Sequence, residues 1–269
     1  ANSVPGSWDA TDATKSAGFI DLVQIPTEIK DGLSLGSNFI IYSSDQTWLM
    51  EFIGGQFIFQ TRKLFNDAGV LNQNCVVEAD GRHYVFGPHD IYLHDGTTKQ
   101  SICDERVKSF IYDNINNNNA DVCFALHNPT LNEIMFCYQS GDADTEFPNA
   151  NRCNRAAVYN YRNNTWTFYD LPNVSAGTHA NVNSVSTYAT TSATYALTGG
   201  TYYSQQDSYD RHTLMVGEDQ TTDGITSDKL YGLDLSDTGQ LAYELDTEAT
   251  KYPYLERTGI DLDEAGSAA

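Results

Sequence analysis

Three histidines, His83, His89 and His94, stand close enough along the chain to suggest shared metal ligation, the chemistry imidazole performs most readily. A metal held by one element needs its ligands on one face, at helical or alternating-strand spacing. Separations of six and five residues fit neither, so these histidines are read as ordinary strand and turn residues. Two acidic loops stack oxygen donors as a hard cation requires: Asp142-Ala143-Asp144-Thr145-Glu146 and Asp234-Leu235-Ser236-Asp237-Thr238-Gly239. Neither follows the full calcium-loop spacing of the EF-hand, and both are read as solvated loops.

Ser43-Ser44-Asp45-Gln46-Thr47-Trp48 is similar to the aspartate box of sialidase-like propellers, but lacks the glycine that box places between Asp and the aromatic residue. An aspartate in a hairpin turn accounts for it. Glycoside hydrolysis would need two carboxylates facing each other across a cleft, and 36 acidic side chains give no means of choosing two. No G-x-S-x-G, P-loop or G-x-G-x-x-G sequence occurs, which removes the usual signatures of serine hydrolysis and nucleotide binding. Cys75, Cys103, Cys123, Cys137 and Cys153 form no C-x-x-C pair, and an odd number leaves one thiol unpaired in any monomeric disulfide scheme. Reduced, buried thiols in a reducing assembly compartment are expected. Asn163-Asn164-Thr165 and Asn173-Val174-Ser175 fit a glycosylation pattern short enough to arise by chance. No residue is therefore assigned a catalytic, cofactor-binding or metal-ligating role, no cofactor is expected, and the chain is read as a non-enzyme.

The elements that carry these residues read as strands. Tyr (17) and Phe (12) are abundant, which suits pleated half-buried surfaces. Short β-rich runs alternate with turn signals: Phe39-Ile40-Ile41-Tyr42, then Trp48-Leu49-Met50-Glu51-Phe52-Ile53, then Phe57-Ile58-Phe59-Gln60. The clearest stretch is a meander of Cys75-Val76-Val77-Glu78, turn Asp80-Gly81, His83-Tyr84-Val85-Phe86, turn Gly87-Pro88-His89-Asp90, Ile91-Tyr92-Leu93-His94 and turn Asp95-Gly96. Val107, Phe110 and Ile111 at helical spacing, after Asp104-Glu105, predict one helix near 104–115. Hairpins follow around Asn128–Asn132 and Arg162–Asn164, with Leu171-Pro172 closing the second, and a last hairpin spans 229–245. Residues 141–154 form a loop, and 175–228 read as long loops or exposed strands.

Strand pairs recurring at this interval suggest a β-propeller-like fold of about five or six blades at about 40–50 residues each, with a decorated β-sandwich as the alternative. Residues 1–32 read as an irregular lead-in, 33–247 as the propeller-like domain and 248–269 as a flexible end. No stretch approaches the roughly 20 apolar residues of a membrane span, so membrane insertion of this chain is not expected. The sequence begins without Met, so it is read as processed or as part of a longer protein.

The formal net charge is −21, from 36 acidic and 15 basic residues. Such a surface repels a phosphate backbone and disfavours ordinary nucleic-acid binding, which needs clustered Lys and Arg.

A sequence of phrases then carries a resemblance: Leu33-Ser34-Leu35-Gly36-Ser37-Asn38-Phe39-Ile40-Ile41-Tyr42, Phe52-Ile53-Gly54-Gly55, Asp67-Ala68-Gly69-Val70, Asp80-Gly81-Arg82-His83-Tyr84-Val85-Phe86, Asp90-Ile91-Tyr92-Leu93-His94-Asp95-Gly96 and Val158-Tyr159-Asn160-Tyr161-Arg162-Asn163-Asn164-Thr165-Trp166. In their order these resemble the tail-nozzle proteins of short-tailed bacteriophages, which include tail tubular protein B. The likeness covers roughly half the chain, and members of that group are typically longer. It implies a virion structural protein, assembled in the host cytoplasm as a homo-oligomeric ring, usually sixfold, below the adaptor and portal and beside tail-fibre proteins. Genomic DNA would pass through the ring in transit, without specific binding, along an acidic wall. Loops 141–154 and 175–228 would touch neighbouring subunits. Two other readings stand beside it: a carbohydrate-binding or glycan-hydrolysing β-propeller, and a tail-fibre or receptor-binding domain.

Overall fold

The computed structural model describes residues 9, 11–12, 21–54, 59–141, 152–181, 211–218, 228–233, 242–244 and 250–251. Its elements are antiparallel sheets in which each strand pairs with the next in sequence. The first sheet is a four-stranded meander of β1 (Ile29–Leu35), β2 (Asn38–Ser43), β3 (Thr47–Phe52) and β4 (Phe59–Phe65). The second repeats the plan with β5 (Val76–Ala79), β6 (Arg82–Phe86), β7 (Ile91–His94) and β8 (Lys99–Ser101). After helix α1 (Glu105–Tyr112) and a 3-10 segment (Asn117–Val122) comes a sheet of eight strands. Its strands are β9 (Phe124–Asn128), β10 (Glu133–Tyr138), β11 (Cys153–Asn160), β12 (Thr165–Asn181), β13 (Arg211–Glu218), β14 (Asp228–Leu233), β15 (Ala242–Glu244) and β16 (Thr250–Lys251). The fold is all-β and propeller-like, with one short α-helix among the described residues.

Local chemistry explains the hairpins. Asp80 and Gly81 take φ of 51° and 73°, the left-handed pair that a two-residue turn between right-twisted strands requires. The Asn128 carboxamide accepts from the Thr130 and Leu131 N–H groups at 3.1 and 3.2 Å, and Asn132 supplies the left-handed residue. Asn160 and Asn164 do the same for the β11–β12 turn. The helix starts where the acids predicted: the Asp104 carboxylate accepts from Val107 N–H at 2.8 Å as an N-cap.

The blade-like repeat shows in backbone bonding. In each sheet the segment before the first strand grips the end of the second: Ser44 donates to the Glu28 carbonyl (3.0 Å), Leu71 to Phe86 (2.8 Å) and Asn116 to Gln139 (2.9 Å). One continuous core joins the sheets, with Ile40, Tyr42 and Leu49 from the first, Val85, Phe86 and Ile91 from the second, and Ile134 and Phe136 from the third. Phe86 meets Phe136 edge-on at 5.7 Å, and Ile111 fixes α1 against the same core. The opposite face of the third sheet buries a smaller cluster including Leu126, Met135, Val158 and Met215.

Four boundaries differ from the sequence reading. β1 begins at Ile29, inside the segment read as lead-in. The third strand of the sequence reading is β4, which continues to Phe65 through Arg62 and Lys63; it is an edge strand, so its side chains need not be apolar. Leu171-Pro172 does not close the β11–β12 hairpin. Between the pairs Arg155–Asp170 and Cys153–Val174 the register shifts, so Pro172 lies in a bulge where its missing N–H costs no ladder bond, and β12 runs on to Asn181. Consequently residues 174–181, at the start of the segment read as long loops or exposed strands, pair with β13, and the third sheet widens to eight strands. Of the segment read as loop 141–154, Cys153 and Asn154 belong to β11 and most of the rest lies outside the described residues, as does the C-terminal segment 248–269 apart from Thr250–Lys251, which pairs with β15.

Candidate functional site

Pairing Phe86 with Ile91 across the β6–β7 turn sets His83 directly opposite His94. The two imidazoles stand with centroids 5.3 Å apart, and Tyr42 of β2 reaches between them from the first sheet. Its hydroxyl is 2.7 Å from His83 Nδ1 and 2.5 Å from His94 Nε2. All three side chains are fully buried. His89, by contrast, is exposed in the turn and takes no part. The sequence reading kept the histidines apart because it asked about one strand at a time, whereas the hairpin register brings two together and excludes the third.

The geometry assigns every proton. Gly96 N–H donates to His94 Nδ1 at 3.2 Å, so His94 carries its proton on Nε2 and donates it to the Tyr42 oxygen. His83 Nε2 lies 2.9 Å from the Ser34 carbonyl, which only accepts, so His83 also carries its proton on Nε2. Its Nδ1 is then a bare acceptor for the Tyr42 hydroxyl. The result is a one-way chain: His94 Nε2–H to Tyr42 oxygen, Tyr42 O–H to His83 Nδ1, His83 Nε2–H to Ser34. Both imidazoles are neutral and all four ring nitrogens are engaged, leaving none to bind a metal.

The electrostatics agree. Burial, followed by repulsion from His83, lowers His94 to about 3. Burial lowers His83 as well, against a smaller opposing effect of its bond to Ser34. Burial raises the Tyr42 hydroxyl well above its ordinary value. This is a packed polar joint whose three side chains are buried.

The other candidates also turn out to be framework. In the Ser43–Trp48 segment, Asp45 accepts from the Thr27 and Ser43 hydroxyls, Gln46 N–H donates to Ser43 Oγ at 3.0 Å, and Trp48 Nε1 donates to Gln46 Oε1 at 3.1 Å. The aspartate is spent on its own turn and on Thr27 of the segment before β1. Cys75, Cys123, Cys137 and Cys153 are free and buried; Cys103 is free and half-buried. Burial pushes Cys123 up to about 12 and raises Cys75 and Cys153 well above the ordinary range, so these are protonated and inert. Cys75 and Cys153 donate to the carbonyls of Cys123 and Val122. Asn173 is buried and so inaccessible to a glycosylating enzyme, while Asn163 lies in an exposed turn. The acidic loops 142–146 and 234–239 fall outside the described residues, and among the described residues no group of three His, Cys, Asp or Glu is placed to hold a metal.

A shallow cleft of about 500 Å³ opens between β1, β5, β9 and β12, where Asp31, Asn74, Phe124 and Ser175 meet. Asp31 spends both oxygens on the backbone, accepting from Gly32 N–H at 2.7 Å and Asn74 N–H at 2.9 Å. The cleft offers no uncommitted carboxylate for chemistry.

No family profile and no curated protein matches this chain. Among solved structures, the WD40 domain of Neurospora crassa Pan2 is similar over 84% of this chain at 10% identity, with a TM-score of 0.32. This chain spans 64% of the length of that structure.

Proposed function

We propose that this chain is a structural subunit of the tail of a short-tailed bacteriophage, assembling as a ring through which DNA passes. The observation that carries this reading is where the resembling phrases fall. Leu33–Tyr42 makes the β1–β2 hairpin, Asp80–Phe86 the β5–β6 turn with β6, Asp90–Gly96 β7 with its flanking turns, and Val158–Trp166 the β11–β12 hairpin. The likeness is therefore one of framework, as expected among subunits whose task is shape. Two further features support it. The polar side chains at the centre of the described core bond to one another instead of lining an open cleft. The charge of −21 lets DNA slide past without adhering.

The sixfold ring, the adaptor, portal and fibre partners, and a place in the virion belong to the same proposal. Negative-stain electron microscopy of the purified chain, with its mass measured in solution, tests it. Closed rings with an axial hole are expected. A monomer that forms no ring at any concentration, or turnover of a glycan substrate, overturns it.

A further inference from the structure

The joint between the first two sheets rests on a hydrogen-bond chain that has no position for an additional proton. Ser34 and Tyr42 belong to β1 and β2, His83 and His94 to β6 and β7, so every bond from Tyr42 or Ser34 to a histidine crosses between sheets. A proton added to His94 must go on Nδ1, where it would face the Gly96 N–H, donor against donor. A proton added to His83 must also go on Nδ1, facing the Tyr42 O–H. The phenol would then have to turn away while still receiving His94 Nε2–H, leaving its own proton without an acceptor.

We infer that Tyr42, His83 and His94 form an acid-sensitive latch between the first and second sheets, closed while both imidazoles are neutral and forced open by protonation. This inference is independent of the tail reading.

The carboxylates around the joint are weak counter-ions for an imidazolium: Glu78 favours the charged form of His83 and Asp95 that of His94, each by less than burial opposes it. Asp31 on β1, a carboxylate that acts on Tyr42, is held by two backbone N–H groups. Glu78 on β5 faces His83 but accepts from Gly81 N–H. Asp95 after β7 faces His94 but accepts from Thr97 and Thr98. Lys99 on β8, paired opposite His94, turns its ammonium to the Asp67 carbonyl and the Tyr92 ring, and Tyr92 on β7 is itself buried and neutral. The ring of Phe65 on β4, with its centroid 5.5 Å from that of His94, closes the remaining side with apolar surface.

The sign follows directly. Both histidines hold protons less tightly folded than unfolded, where the ordinary value is about 6.5. The stabilisation is complete above about pH 6.5 and is lost as pH falls toward the folded values, about 3 for His94. Each histidine that stays neutral lowers the folding constant by a factor that approaches tenfold per pH unit below pH 6, or about sixteenfold between pH 6.5, where the unfolded imidazole is already half protonated, and pH 5.

The test uses the whole chain. Nitrogen-resolved NMR of the imidazoles should show His83 and His94 neutral, with the proton on Nε2, at pH 7, and His94 still so at pH 5. Either one titrating between pH 6 and 7 in the folded protein overturns the latch. Hydrogen exchange, corrected for intrinsic rates, should show the amides of β1–β2 and β6–β7 losing protection at pH 5 before those of β10–β11. Uniform loss across all three sheets also overturns it. In H83Q/H94Q the preferential loss should disappear; if that variant does not fold, the two measurements on the unmodified chain decide alone.

Discussion

The backbone of Gly69 passes so close to Ser44 that a β-carbon on residue 69 would stand 2.0 Å from the Ser44 carbonyl oxygen and 2.4 Å from the Asp45 nitrogen. Around this approach Ala68 N–H donates to Asp45 and Val70 N–H to Ser43, at 2.9 and 3.1 Å, while Thr47 Oγ1 donates to the Ala68 carbonyl. The segment leaving the first sheet is thus laced to the β2–β3 turn, and only a residue without a side chain fits at the crossing.

Gly69→Ala should therefore be among the most damaging single changes in the chain. The clash is with backbone, which cannot swing aside as a flexible side chain can. A loss of about 3 kcal/mol or more is expected, the upper end for overpacking. Urea denaturation checks it; a change below 1 kcal/mol would show that the crossing opens easily. Gly81→Ala gives a contrasting control, since a β-carbon there meets nothing within 4 Å and the cost comes only from φ of +73°.

Arg155 lies almost buried on β11, with Nε 2.9 Å from Asp170 Oδ1 and its guanidinium over the Phe110 ring at 5.3 Å. Asp170→Ala leaves that cation with less compensation and should cost about 1–3 kcal/mol, below the figure for a fully buried pair because Asp170 is partly exposed. Replacing both, as R155M/D170A, should cost less than the sum of the two single changes because no charge is left stranded. A double-mutant cycle reads this, and additive losses would mean that the pair does not couple.

Helix α1 gives a cleaner measurement. Asp104→Ala removes the N-cap acceptor from Val107 N–H and should destabilise by about 1 kcal/mol, whereas Asp104→Asn, which keeps an oxygen there, should lose only a fraction of that. Equal losses in both variants would assign the effect to charge near the helix start instead of capping.

This helix was legible because its signals are local: an acid able to cap it, and Val107, Phe110 and Ile111 on one face. The same is true of the Asp80-Gly81 and Asn132 turns, whose residue types match the left-handed backbone they adopt. β4 and β8 were incomplete or missing for the opposite reason. Their side chains are largely exposed, so no alternation marks them, and the ladder that makes them strands belongs to the backbone. β12 was cut short because Pro172 reads as a stop unless the bulge opposite Asn154 is known. The His83–His94 pair lay within reach, since drawing Phe86 against Ile91 across the turn fixes it. Tyr42 did not, because its place between them depends on how two sheets pack.

The charge supports a prediction that separates a DNA conduit from a DNA-binding protein. With 36 acidic and 15 basic side chains, the chain has few cations to exchange for the counterions of a duplex. It should fail to retard duplex DNA at about 150 mM salt, where the field of a carboxylate decays over about 8 Å, and also at about 50 mM, where repulsion reaches further. Inside a ring the same screening makes position decisive. Only carboxylates lining the channel can repel a passing phosphate, so most ionisable side chains on the inner wall should be Asp or Glu. Reversing several of these to Lys should slow genome ejection from assembled particles while leaving ring formation intact, since DNA would then pause at each band of cations. Retardation of duplex DNA by the unmodified chain, or ejection at an unaltered rate from the reversed particles, would dispose of the sliding-wall mechanism.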